Sequence, residues 1–201
     1  MIDFELTDDH KSAQQIARDV AHKYLKPKIA DLDRENKNDP DFIKRLKDAE
    51  LLGVCIPQKY GGMGLDYISL GLVCEEMEYV DTSARVAFSV HIGLNSLTLL
   101  TWGNEFQKEK YLIPQAKGEM IGTFGLTEPS AGSDAVGILT TAKKARSKYI
   151  LNGEKMWISL SEVADMFLIF AWTDTDKHKK RDHTGLSAFI VERTFKGVTT
   201  G

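Results

Sequence analysis

The chain has 201 residues, room for one large domain or two small ones. Its 26 basic and 29 acidic residues leave a formal charge of -3, which argues against a general nucleic-acid binder, because such a protein shows a basic face. Two cysteines, Cys55 and Cys74, exclude a disulfide-stapled scaffold, and no apolar run approaches the ~20 residues that a bilayer span needs.

The opening Met1-Ile2-Asp3-Phe4-Glu5-Leu6 is acidic. It lacks the basic flank of a signal peptide and the Arg-rich character of a transit peptide. The expectation is a soluble protein of a reducing compartment: cytoplasmic in a prokaryote, or the mitochondrial matrix in a eukaryote. From Thr7 to about Gly118 the pattern is helical. Ala13, Ile16, Ala17, Val20, Ala21, Tyr24 and Leu25 fall on one helical stripe. Thr7 is the expected N-cap, Asp8 and Asp9 suit the positive end of the helix dipole, and Pro27 kinks or ends the element. Asp39-Pro40 announces a second helix that Gly53 closes. Residues 56–64, Ile-Pro-Gln-Lys-Tyr-Gly-Gly-Met-Gly, read as a turn-rich loop. Asp66 caps a third helix with Leu70, Val73, Cys74 and Met77 on one face. Residues 83–101 carry Val86, Val90, Leu94 and Leu97 with few charges and read as a buried helix. Asn104 and Gln107 form a capping box for a fifth helix that stops near Pro114.

From Met120 onward the pattern is β. Asn152-Gly153, flanked by strand formers over residues 149–158, predicts a hairpin. Residues 166–172 read as a buried strand, and residues 186–192 as its partner across a polar loop. The expected class is α+β: an N-terminal helical bundle over residues 1–118, then a small antiparallel β domain over residues 119–201.

The densest cluster of special residues is Phe124-Gly125-Leu126-Thr127-Glu128-Pro129-Ser130-Ala131-Gly132-Ser133-Asp134. It follows a short strand, and its glycines and hydroxyls suit a loop whose backbone N–H groups cradle a phosphate or a flavin carbonyl. The same chemistry also fits a plain surface loop. Thr127-Glu128-Pro129-x-Ala131-Gly132-Ser133-Asp134, followed by Gly153-x-Lys155-x-Trp157-Ile158-Ser159, resembles the acyl-CoA dehydrogenase family. Ile56-Pro57-x-x-Tyr60-Gly61-Gly62-x-Gly64, Ser89-Val90-His91 and residues 103–118 resemble that family's helical domain, so the likeness covers essentially the whole chain.

The resemblance implies a flavoprotein that binds FAD and oxidises an acyl-CoA thioester. The family removes a proton from Cα and passes a hydride from Cβ to flavin N5. The cofactor supplies the redox chemistry, and the protein supplies position and water exclusion. Residues 124–133 would lie along the flavin and its pyrophosphate, with Leu126 and Thr127 at the ring system. Ser133 would sit where FAD and the CoA of the substrate approach each other. Trp157, Ile158 and Ser159 match a second flavin-contact strand, and Ser159 keeps a hydroxyl where the family most often has Thr. Without the resemblance, Trp157 reads equally as core and Ser159 as a strand hydroxyl. The family continues with Asn-Gly where this chain has Leu160-Ser161, which puts the local turn in doubt.

Arg85 matches an Arg of the glutaryl-CoA dehydrogenase branch that is understood to meet the distal carboxylate of the acyl chain. It reads as a buried Arg in an apolar helix, which needs an anionic partner. A salt bridge to Glu75, Glu76 or Glu78 is the other reading, and those three glutamates themselves read as a solvated face. His91 reads as a core histidine, Cys55 and Cys74 as buried small hydrophobes, and residues 177–181, Lys-His-Lys-Lys-Arg, as a solvated hairpin tip. No metal cluster is indicated. In the family the catalytic base is a Glu of a C-terminal helical domain, so none is assigned here. The expectation is an N-terminal portion of a dehydrogenase subunit, truncated before that bundle. By itself it would be inactive; at full length it would be tetrameric and would pass electrons to an electron-transfer flavoprotein. An assembly fragment, or an oxygen-using relative such as an acyl-CoA oxidase or flavin monooxygenase, stays open as an alternative.

Overall fold

The first helix, α1 (Asp8–Val20), begins at a reciprocal cap. In the computed structural model, which describes residues 5–201, Thr7 Oγ1 accepts from the His10 amide at 3.2 Å, and His10 Nδ1 accepts from the Thr7 amide at 3.2 Å. The acidic opening at residues 1–4 lies outside the described residues. With Nδ1 accepting, Nε2 carries the ring proton, and it lies 2.9 Å from Asp66 Oδ2. Asp66 in turn caps α4 (Tyr67–Val80) by accepting from the Ser69 amide at 2.9 Å. One histidine therefore ties the starts of two helices that pack on each other.

The apolar stripe runs as expected through Ala13, Ala17 and Val20. It continues through Ala21 and Leu25, where the helix widens into a π-helical turn (Ala21–Leu25). Ile16 and Tyr24 are only half-buried. The small alanines bring α1 close to α4, and this alters the acidic cluster. Glu75 and Glu78 are exposed, but Glu76 is buried. Its carboxylate accepts from Arg18 Nε at 2.9 Å, Arg18 Nη2 at 2.7 Å and Gln14 Nε2 at 2.9 Å. A solvated face is therefore the wrong reading for Glu76: a forked guanidinium from α1 matches its carboxylate.

Pro27 ends the first element, and a further helix, α2 (Ile29–Glu35), follows it. The helix expected from Asp39-Pro40 is α3 (Phe42–Asp48), which starts two residues later. Asp39 instead accepts from the Asp41 amide at 3.1 Å and from Lys28 Nζ at 2.9 Å. A short 3-10 turn (Leu51–Gly53) then reaches Gly53. The apolar stretch is α5 (Thr82–Ala87), a π-helical segment (Phe88–Ser96) and α6 (Leu97–Trp102). The widened turns shift the stripe, so Val90 is buried while Leu94 is 43% exposed. His91 is fully buried, with Nε2 3.2 Å from the Gln115 carbonyl. Asn104 and Gln107 form the expected capping box of α7 (Glu105–Gln107). The helix ends near Pro114, as expected, at Ala116. A π-helical turn (Lys108–Leu112) leads without a break into α8 (Ile113–Ala116), and Pro114 lies within this last turn.

The chain divides into two compact units, Met1–Ile121 and Gly122–Gly201. The second unit is a mixed sheet, which corrects the expected all-antiparallel arrangement. Its strands are β1 (Gly122–Gly125), β2 (Thr141–Ala145), β3 (Lys148–Asn152), β4 (Met166–Trp172) and β5 (Leu186–Glu192). Strands β4 and β5 are the buried strand and partner read from the sequence, antiparallel with Ile169 opposite Phe189. β1 and β2 run parallel to β4, and β3 pairs antiparallel with β2. The order arises because residues 126–140 carry the chain back across the sheet instead of turning tightly.

The hairpin turn is not Asn152-Gly153. It falls at Arg146-Ser147, where Arg146 has φ 56°, and Asn152 ends β3. Gly153 is used for close approach: a Cβ there would lie 2.2 Å from Thr140 Oγ1. The basic run holds a short helix, α9 (Thr175–Lys179), and not a bare tip. Among the described residues no helix is long and apolar enough to cross a membrane.

The Ser69 amide, followed by His10, holds the Asp66 carboxyl down at about 2. A depressed carboxyl stabilises the fold above its unfolded value of about 3.9, and that contribution is lost as pH falls towards 2. An acid titration followed by circular dichroism is expected to lose helix across this window. Asp66→Asn should lower stability at neutral pH and flatten this acid limb; an unaltered limb would show that Asp66 does not couple the two helix starts to pH.

Candidate functional site

A buried ion pair organises the loop between β1 and β2. Lys155 Nζ lies 2.7 Å from Glu128 Oε1, and the two side chains are 8% and 4% exposed. Glu128 also accepts from the Leu139 amide at 2.5 Å, the Thr140 amide at 3.0 Å and Thr140 Oγ1 at 2.5 Å. Burial alone would raise this carboxyl, but the bonds from Leu139, Lys155 and Thr140 outweigh it and hold it below the usual range. Lys155 Nζ donates in addition to the Leu126 carbonyl at 3.0 Å. One ammonium thus joins the strand exit, the loop and residues 153–159.

The two stretches singled out in the sequence converge. The Met156 amide donates to the Thr127 carbonyl at 2.8 Å, and Thr123 Oγ1 donates to the Ser159 carbonyl at 2.5 Å. A Cβ at Gly125 would crowd Ile169 Cδ1 of β4 at 2.6 Å and meet Lys155 Cγ at an ordinary 3.4 Å. The tip of the loop closes on itself: the Glu128 and Ala131 amides exchange bonds with each other's carbonyls at 2.9 and 3.1 Å. Pro129 and Ser130 are pushed into solvent.

The expected site residues divide into two groups. Gly125, Glu128 and Ala131 are buried. Ala131 joins Ile138 and Trp172 in the core of the unit, with Leu126 packed against them. Glu128 is therefore no outward contact; four donors hold its carboxylate inside, and its role is to shape the loop. Phe124 and Thr127 are half-buried, the Phe124 ring 5.1 Å from that of Phe170. Pro129, Ser130, Gly132 and Ser133 are exposed, and nothing lies within 4 Å of where a Gly132 Cβ would be. Trp157 is 81% exposed, so it is not core. Ile158 is half-buried and Ser159 exposed.

Residues 157–159 do not form the expected strand. Trp157 has φ 59° and Leu160 φ 63°, and left-handed residues cannot continue a ladder. The doubtful turn at Leu160-Ser161 closes nonetheless: the Val163 and Ala164 amides bond the Leu160 carbonyl at 3.0 and 2.8 Å. In the helical unit, Arg85 is not the buried residue the sequence suggested. Its side chain is 34% exposed, Nε donates to Glu78 Oε2 at 2.7 Å, and Nη1 lies 3.1 Å from Ser89 Oγ. Glu78, near the end of the preceding helix α4, is the partner among the three candidates.

Sequence reasoning gave Lys155 no role of its own, although it stands directly before the apolar run Met156-Trp157-Ile158. It also missed Arg193, which no local pattern marks.

The exposed, backbone-rich loop and the solvent-facing indole beside it fit a flat, phosphate-bearing cofactor. The model of the acyl-CoA dehydrogenase N-terminal domain matches residues 7–119, and that of the acyl-CoA dehydrogenase middle domain matches residues 123–201. The chain belongs to the acyl-CoA dehydrogenase family. It is 38% identical over 200 residues to the short-chain-specific acyl-CoA dehydrogenase of Clostridium acetobutylicum, covering 100% of this chain and 52% of that protein. Among solved structures, the glutaryl-coenzyme A dehydrogenase glutaryl-CoA complex is 34% identical with TM-score 0.91, covering 100% of this chain and 51% of that one. A glutaryl-CoA dehydrogenase of Mycobacterium smegmatis in complex with FADH2 is 32% identical with TM-score 0.87, covering 96% and 48%. The chain spans about half the length of these relatives.

Removing one partner of the buried pair leaves an uncompensated charge. Lys155→Met is expected to lose roughly 3–5 kcal/mol in urea unfolding. Adding Glu128→Gln to that variant should recover part of the loss, because the stranded charge is gone and the amide oxygen still accepts from the Thr140 amide and hydroxyl.

Proposed function

We propose that this chain supplies the flavin platform and part of the acyl-CoA site of an FAD-dependent acyl-CoA dehydrogenase. The observation that carries the reading is the convergence of residues 125–128 with residues 155–159 on one buried anchor, with Trp157, Ser130, Gly132 and Ser133 exposed to solvent.

When bound, FAD accepts the hydride that leaves the acyl Cβ. The chain's residues hold and orient it. Phe124, Gly125, Leu126 and Thr127 form the strand exit along the ring system, and Thr127 and Ser159 offer hydroxyls to its polar edge. Beyond Pro129, which has no N–H to offer, Ser130, Gly132 and Ser133 present backbone N–H groups, and the two serines hydroxyls, that suit a pyrophosphate. Trp157 and Ile158 cover the ring with apolar surface and exclude water, which strengthens every polar contact nearby. Ser133 also serves the CoA part of the substrate. No residue of this chain is assigned as the base that removes the α-proton.

Arg85 is the proposed reader of the acyl end. Its charge is half-exposed, and Glu78 and Ser89 hold it without surrounding it. A carboxylate at the far end of a short acyl chain, as in glutaryl-CoA, would meet a bidentate fork. The proposed partners are an electron-transfer flavoprotein as acceptor and further copies of the subunit in a tetramer.

The polypeptide carrying this chain is expected to purify yellow, and Trp157→Ala should weaken FAD about tenfold, as a stacking contact of roughly 1–1.5 kcal/mol would. Arg85→Gln should lower kcat/KM for glutaryl-CoA about tenfold or more while leaving butyryl-CoA nearly unaltered. A colourless protein, or equal losses on both substrates, would sink the respective half of the reading.

A further inference from the structure

We propose that Arg193 is a positioning residue: its guanidinium enforces the left-handed turn at Leu160 and so fixes Trp157 and Ser159 at the site. The effect on the cofactor rests on the function proposed above; the clamp itself does not.

Two residues with side chains, Trp157 and Leu160, have left-handed backbones within four positions, at φ 59° and 63°. Leucine gains nothing locally from that conformation, because its Cβ crowds the following carbonyl and it has no polar group to offset this. Something outside the turn must therefore favour it. The turn has its own bonds: the Ser161 amide to the Ile158 carbonyl at 3.1 Å, and the Val163 and Ala164 amides to Leu160 at 3.0 and 2.8 Å. Their exit carbonyls, those of Ser161 and Ala164, are both claimed by one side chain. Arg193 Nε donates to the Ala164 carbonyl at 2.5 Å, and Nη2 donates to that of Ser161.

The guanidinium is itself fixed. It lies over the Phe167 ring at 5.3 Å, Nη1 lies 3.2 Å from Thr200 Oγ1, and the Arg193 amide donates to the Asp165 carbonyl at 2.8 Å. A planar fork can hold two carbonyls at a set spacing; the point charge of a lysine cannot. At its other end the segment is pinned where Thr123 Oγ1 meets the Ser159 carbonyl. Residues 159–164 are thus held from β1 on one side and from the end of β5 on the other, and the exposed indole stands just before them.

The test compares Arg193→Met, Arg193→Lys, Leu160→Asn and the double variant Arg193→Met/Leu160→Asn in the full polypeptide. Asparagine adopts the left-handed region readily. Amide hydrogen exchange in the cofactor-free protein reads the clamp, and FAD titration reads its consequence. Arg193→Met should raise exchange at Ser161, Val163 and Ala164 about tenfold, with the β4 amides unaltered. Arg193→Lys should restore little, and Leu160→Asn in the Met background should restore both protection and FAD affinity to within about twofold. Unaltered exchange at the turn would overturn the proposal. So would a loss that Leu160→Asn leaves untouched, since that would mean Arg193 supports the fold at large. Raised exchange with unaltered FAD affinity would leave the clamp standing and overturn the placing of the cofactor at this turn.

Discussion

The site depends on one buried charge pair. Glu128 sits inside a small sheet unit where an isolated carboxylate would be costly, and Lys155 would be equally costly alone. Together they satisfy each other and recruit the Leu126 carbonyl, the Leu139 and Thr140 amides and the Thr140 hydroxyl. Apolar packing could have filled the same volume. It could not have set the register between three backbone segments to within a hydrogen bond. The exposed residues around Pro129 and Trp157 need no mutual contact of their own, because the pair beneath them sets their spacing.

The helical unit uses polar groups in the same manner but for a different end. His10 links two helix caps, and Glu76 receives the Arg18 fork across the α1–α4 contact. His91 and Ser96 meet Gln115 in the interior. These contacts specify which face of each helix meets which neighbour, something a stripe of alanines does poorly. The three π-helical segments fall in the same region, where the helices adjust their register to neighbours and not to ideal geometry.

Features governed by local chemistry were legible in the sequence. The caps at Thr7, Asp66 and Asn104, the strands β4 and β5, and the convergence of the two motif stretches need only short-range patterns or a resemblance to be read. What was illegible was set at long range. Leu94 turns outward because a widened helix shifts its stripe, and Glu76 turns inward because a cation waits on another helix. Asn152-Gly153 resembles a hairpin turn, yet the glycine serves an approach to Thr140 that only the folded sheet creates. The parallel pairing of β1 and β2 with β4 follows from a long return through residues 126–140. Within the loop singled out by its residue types, Pro129, Ser130, Gly132 and Ser133 are exposed, while Glu128 and Ala131 are buried beneath them, which no local pattern distinguishes. Lys155 reaches Glu128 from 27 residues away, and Arg193 reaches the Ala164 carbonyl from 29.

The left-handed residues at Trp157 and Leu160 show how support and site are related. An extended strand would bury alternate side chains against the sheet and leave the indole half-covered. Breaking the ladder at Trp157 frees the ring to face outward at 81% exposure while the backbone on either side stays bonded to Thr127 and Thr123. Such a conformation persists only where the surroundings over-determine it. Here the surroundings are two cations, the buried Lys155 before the indole and the half-buried Arg193 after it, each holding main-chain carbonyls. The sheet therefore carries the strain of the two left-handed residues, and the indole is exposed while the backbone on both sides of it is hydrogen-bonded.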